Sequence, residues 1–112
     1  MLSLQTIMTE RIEKLNTMLK LMPNDCFLWH ALALEYAKTG DYSSAQAYFE
    51  KVLSIDANYI GSYYHLGKTV EKLNNLDAAK LIYEEGIRRA GVLNDRHARS
   101  ELQQALDDIS DE

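Results

Sequence analysis

WHALALEYAKTGDYSSAQAYFEKV, residues 29–52, and YYHLGKTVEKLNNLDAAKLIYEEG, residues 63–86, are two copies of one pattern. Trp29 recurs as Tyr63, Leu32 as Leu66, Ala33 as Gly67, Tyr36 as Val70, Ala45 as Ala79, Phe49 as Tyr83 and Val52 as Gly86, each pair 34 residues apart (from 29 to 63). Large and small apolar residues keep their order across the repeat. That period marks a stacked helix-turn-helix unit, which cannot bury its apolar face alone and needs neighbours on both sides.

Within each copy the turn chemistry is explicit. Trp29, Leu32, Ala33 and Tyr36 follow i, i+3, i+4, i+7 spacing and so share one helix face. Asn24 and Asp25 are N-cap residues for that helix. Gly40 supplies a left-handed C-terminal residue, Asp41 caps the next helix, and so short a turn makes two antiparallel helices. Asn74-Asn75 stands where Gly40-Asp41 stood, and Asn tolerates the left-handed region best after Gly. Small Ala33 and Ala45 opposite large Trp29 and Phe49 allow the helices to interlock. Gly86 implies a close approach of backbone.

Upstream, Ile7 to Met22 is an amphipathic helix with a favourable Glu10–Lys14 pair, ended by Pro23. Met8-Thr9-Glu10-Arg11 reads as a start, with residues 1 to 7 an extension that contributes little. Downstream, a helix from Asn94 or Asp95 carries Ala98, Leu102, Ala105, Leu106 and Ile109 on one stripe and polar residues elsewhere, as the end of a repeat stack requires. Asp107, Asp108, Asp111 and Glu112 at its negative end predict fraying. The sequence thus divides into an N-terminal helix over 7–22 resembling half a repeat, repeat units over 26–59 and 60–93, and a capping helix over 94–110. The expected core is Leu15, Leu19, Trp29, Leu32, Tyr36, Ala45, Phe49, Val52, Leu66, Ala79, Tyr83, Leu102 and Leu106.

These residues resemble the tetratricopeptide repeat. Its pattern of Trp, Leu, Gly, Tyr, Ala, aromatic and Ala is met by Trp29, Leu32, Ala33, Tyr36, Ala45, Phe49 and Val52, and again by Tyr63, Leu66, Gly67, Ala79, Tyr83 and Gly86. Departures are Val70 for the aromatic, Val52 and Gly86 for the later Ala, and Ala57 and Gly91 for the terminal Pro. Pro23-Asn24-Asp25 is similar to the close of an earlier, truncated repeat. The resemblance spans about residues 10–91 and implies an all-α, right-handed superhelical solenoid of about six helices. It also implies a peptide or protein partner in a concave groove. A subgroup of the family clamps a C-terminal carboxylate with Lys and Asn; the matching places here hold His30, Leu34 and His65, so recognition of chaperone tails is not implied.

Composition and chemistry point the same way. The 112 residues suffice for one domain, and 46% hydrophobic with 26% charged residues is ordinary for a soluble globular chain. A net charge of −5 gives no electrostatic pull toward nucleic acid or an anionic membrane. There is no apolar run long enough for a membrane helix, so a cytoplasmic protein is expected. One cysteine, Cys26, forms no internal disulfide and reads as a small buried residue. The sequence holds no phosphate loop, metal-spaced His/Cys set or catalytic constellation, so no enzyme activity, cofactor or metal is expected. His30, His65 and His97 read as hydrogen-bonded or solvated. The tyrosines read mainly as packing residues.

A second stripe on the first helix of each unit is left over from the packing faces. Phe27, His30, Ala31, Leu34 and Lys38 form it in the first unit; Gly61, Tyr64, His65, Lys68 and Lys72 hold the equivalent places in the second. The family resemblance puts these residues in the groove, with an apolar floor and an aromatic-basic end suited to a partly acidic peptide with one apolar anchor. Phe27 and Leu34 have a competing role as contacts for the N-terminal helix. A homo-oligomeric structural module is the alternative function, since a second copy would cover the same apolar residues.

Overall fold

The computed structural model describes residues 3–110. Six helices follow one another in α1 Leu4–Leu21, α2 Cys26–Lys38, α3 Tyr42–Ile55, α4 Gly61–Lys72, α5 Leu76–Val92 and α6 Arg96–Ser110, with no strand among the described residues. Each helix packs antiparallel on the next, and α2 also touches α4 while α4 touches α6. The result is a right-handed superhelical stack, 44 × 29 × 21 Å, with α2, α4 and α6 along one layer and α1, α3 and α5 along the other.

The caps fall where the sequence places them. Asp25, Asp41 and Asn75 accept hydrogen bonds from the N–H groups of Leu28, Ser44 and Ala78, and Asp95 accepts from Ala98. Gly40 at φ 85° and Asn74 at φ 62° turn each hairpin through the left-handed region. Helix α4 differs, because Ile60 precedes it and offers no capping side chain. Helix α1 starts at Leu4, ahead of the expected Ile7, because Ser3 accepts from the Thr6 N–H and Ile7 is half-buried. The Glu10–Lys14 spacing produces no ion pair among the described residues. Asp107 and Asp108 are tied to Gln103 and Gln104 at 3.0 and 2.9 Å, while Asp111 and Glu112 lie outside the described residues.

Leu32, Ala33, Ala45, Phe49, Val52, Ala79 and Tyr83 are fully buried, and Leu19, Leu66 and Leu102 nearly so. Four expected core residues, Leu15, Trp29, Tyr36 and Leu106, are only half-buried. For Trp29 the reason is chemical. Its indole N–H donates to the Pro23 carbonyl at 2.8 Å, which holds the ring at the surface between Tyr48, with ring centroids 5.7 Å apart, and the Lys51 ammonium. Tyr63 makes the equivalent bond in the second unit, donating to the Ala57 carbonyl at 2.6 Å, but its ring is buried. A Cβ on Gly86 would lie 2.7 Å from the Tyr63 Cβ, so the close backbone approach expected there is present. Leu28, Ser62, Thr69 and Glu35 are buried without having been expected.

Candidate functional site

Helices α2 and α4 lie side by side, and α3 closes the space behind them. Phe49 from α3 stacks on the His65 ring at 6.0 Å and meets the edge of His30 at 5.4 Å. The two imidazoles sit 5.5 Å apart, and His30 Nδ1 is hydrogen-bonded to Ser62 Oγ at 2.7 Å. Tyr59 packs on His30 and Tyr64 on His65. The imidazoles therefore belong to an apolar and aromatic floor.

Above this floor is a cleft of about 140 Å³ walled by Leu34 and Ala37 of α2, Phe49 of α3, and His65, Lys68 and Thr69 of α4, with Tyr42 and Lys72 at its mouth. Lys68 extends over the Tyr64 ring at 5.6 Å and approaches the Glu71 carboxylate at 3.7 Å. Glu71 also accepts from the Tyr83 hydroxyl, so its charge is held beside Lys68. Lys72 has no ion-pair partner among the described residues. An apolar slot with one half-compensated and one uncompensated ammonium can take an aliphatic or aromatic side chain and a carboxylate beside it.

Of the groove residues proposed from sequence, Leu34, His65, Lys68 and Lys72 converge on this cleft, with Tyr64 and His30 adjoining it. The others lie elsewhere. Phe27 is 64% exposed at the start of α2 and takes no part in the cleft, and it is not covered by α1 either. Ala31 borders a different slot, between α1 and α2. Lys38 reaches back to Glu35 at 3.3 Å. Ala37, Tyr42 and Thr69 line the cleft without having been singled out, and Phe49 had been assigned only to the core. Thr69 stands one repeat after Glu35, which the first-unit stripe did not include, so the 34-residue offset gave no signal for it.

Burial, and then the neighbouring His65, pull the His30 pKa down to about 4; burial also lowers that of His65, against an opposing pull from Glu101. An unfolded imidazole takes up its proton near pH 6.5, whereas His30 in the native protein does so only near pH 4. Its contribution to stability is thus complete above pH 6.5 and is lost progressively as the pH falls toward 4. Urea titrations at pH 7.0 and 4.5 should show that loss, and His30→Asn should shrink it. A loss of the same size in the variant would show that His30 titrates normally.

Among the described residues no three metal-binding side chains converge, and no helix is long and apolar enough to cross a membrane. Cys26 is half-buried with Sγ 3.7 Å from the Val52 carbonyl, and burial raises its pKa, which keeps the thiol protonated.

The sequence profile of the tetratricopeptide repeat matches residues 28–59 and 60–91, more than half of the chain. The chain belongs to the tetratricopeptide repeat family. A tetratricopeptide repeat domain protein from Salinibacter ruber, seen in a crystal structure, is 40% identical, with a TM-score of 0.72 over 77% of this chain and 96% of its own. The TPR2B domain of yeast Sti1, in its complex with pHsp70, superposes with a TM-score of 0.87 at 17% identity, covering 96% of this chain and 86% of that one. The Sgt2 TPR domain from Aspergillus fumigatus does so at 0.81 and 19% identity, over 95% and 68%. At those identities the two fungal domains share the fold. No curated protein matches the sequence. TPR repeats are generally protein-protein interaction modules, and the cleft of this TPR chain lies between the first helices of its two matched repeats.

Proposed function

We propose that this TPR chain is a non-catalytic adaptor that binds a peptide or protein segment in the groove formed by α2 and α4, and that the segment carries one apolar side chain close to acidic residues. One observation carries the reading: the apolar cleft beside Leu34 and His65 is rimmed by Lys68 and by the uncompensated Lys72. The net charge of −5 opposes an acidic partner at long range. At physiological salt, however, the screening length is about 8 Å, so a carboxylate in contact responds to the two lysines. With His30 and His65 both held neutral, a clamp for a terminal carboxylate of the chaperone-tail type has no cation at those places.

Peptides selected from a random display library on the folded protein should be enriched in an apolar residue next to Asp or Glu. Lys68→Glu combined with Lys72→Glu should weaken them about tenfold, or about 1.4 kcal/mol by calorimetry, with an unchanged circular dichroism spectrum. Unchanged affinity with an unchanged spectrum would make this face ordinary solvated surface. The exposure of Phe27 at 64% and Leu21 at 81% favours a second reading, a self-associating structural module. Light scattering separates the two, because a monomer at tens of micromolar excludes obligate assembly.

A further inference from the structure

The repeat offset carries over onto α1 and shows what is unusual there. One repeat length before Ala45 and Ala79 stands Arg11; Leu15 corresponds to Phe49, Met18 to Val52, Ala31 to His65 and Glu35 to Thr69. Ala45 and Ala79 are both fully buried because the preceding helix of each hairpin lies directly on them. A guanidinium occupies that place on α1, and its side chain remains 57% exposed. A helix laid on α1 as α2 lies on α3 would meet this charged side chain instead of an alanine.

An open slot of about 250 Å³ lies between α1 and α2, lined by Arg11, Lys14, Leu15, Met18, Ala31 and Glu35. Its floor is aliphatic, and Met18 is 39% exposed on it. Arg11 and Lys14 line it against one acid, Glu35, which Lys38 also faces from outside the lining. Glu10 and Glu13 border the adjoining hollow on α1 together with Arg11 and Lys14, but they line no part of this slot and pair with neither cation among the described residues. Glu35 itself is only 8% exposed. Its Oε1 faces Lys38 Nζ at 3.3 Å and Arg11 Nη1 at 3.8 Å, while Oε2 is buried with no donor. At the equivalent place Thr69 is uncharged and satisfied, donating to the His65 carbonyl at 2.7 Å. The repeat fold therefore has no need of an acid here, and a buried carboxylate oxygen without a donor is costly.

We propose that this slot is a second docking site, separate from the α2–α4 groove, for an extended partner segment that inserts one aliphatic side chain against Leu15, Met18 and Ala31. A carboxylate next to that side chain meets Arg11 and Lys14, and an amide or hydroxyl of the segment supplies the donor that Glu35 lacks. Net positive charge at the rim selects an acidic segment over a basic one.

The test is an NMR titration with three blocked pentapeptides: a Leu flanked by Glu, the same Leu flanked by Lys, and Glu flanking Ser. The Glu-Leu-Glu peptide should shift the Met18 methyl and the Ala31 and Arg11 amides saturably, and each of the other two should bind about fivefold more weakly. Arg11→Glu with Lys14→Glu should abolish those shifts and leave intact any shifts at Lys68 and Lys72. Shifts confined to Leu34, Lys68 and Lys72 would overturn the proposal while leaving the groove reading in place. It is equally overturned by absence of saturable shifts at Met18, by tighter binding of the Lys-flanked peptide, or by a doubled rotational correlation time showing that a second copy covers the slot.

Discussion

Phe49→Ala should lower the unfolding free energy by about 3–5 kcal/mol, a large share of the 5–15 kcal/mol that holds a domain of this size together. Phe49 is fully buried, and its ring is the common neighbour of both imidazoles: His65 lies flat on it and His30 meets it edge-on. Truncation removes the transfer free energy of the ring and leaves a cavity that α2 and α4 cannot both close, because Ser62 and His30 are tied across the same junction. The loss should therefore come with altered His30 and His65 ring resonances. Phe49→Leu, which keeps most of the volume, should cost only about 1–2 kcal/mol. Urea titration of both variants provides the check. A cost for Phe49→Ala below that of Phe49→Leu would mean that the floor of the cleft relaxes freely and is not the rigid element described here.

The fold could be read from the sequence because its determinants are local and doubled. Asp25, Asp41 and Asn75 each cap a helix through their own side chain, and Gly40 and Asn74 each turn a hairpin through their own backbone. The same sequence offset pairs Trp29 with Tyr63, so two independent stretches vote for one register. Depth of burial was less legible. Periodicity places Trp29 on the packing face but is silent about where the indole N–H finds an acceptor, and the Pro23 carbonyl that serves it draws the ring outward. Helix stripes gave the side of the molecule on which the groove residues stand, but Leu34, His65, Lys68 and Lys72 line one cleft, Ala31 borders another slot, and Phe27 and Lys38 line neither. Ala31 faces α1, since α2 has a neighbour on each side, and a single-helix stripe cannot tell one neighbour from the other. Lys38 was legible as a cation but not as the partner of Glu35, which is buried and which no sequence stripe singled out.

The contact between Gly67 and Tyr83 should produce a reversal of sign. A Cβ built on Gly67 would sit 2.1 Å from the Tyr83 ring, so α4 and α5 touch through an aromatic face laid directly on backbone. Tyr83 is fully buried, and its hydroxyl is held by Glu71 one turn further along α4, which fixes the ring over the glycine. Burial, and then that hydrogen bond, push its pKa upward, so the phenol stays protonated and keeps donating. Gly67→Ala gains up to about 1 kcal/mol in helix propensity. Against this stands an overpacking penalty of about 1–3 kcal/mol or more, because neither the ring nor the backbone can retreat without breaking the Glu71 contact. The net effect in the native background is destabilising. Tyr83→Ala alone should cost about 3–5 kcal/mol, by opening a cavity and leaving Glu71 with only Lys68 beside it. In that background the obstruction is gone, the new methyl fills part of the cavity, and Gly67→Ala should become stabilising by about 1 kcal/mol. The four-member cycle, measured by urea titration, isolates the coupling because the two residues touch. Additive effects of the two substitutions would show that the ring does not rest on Gly67, and that α4 and α5 meet through some other contact.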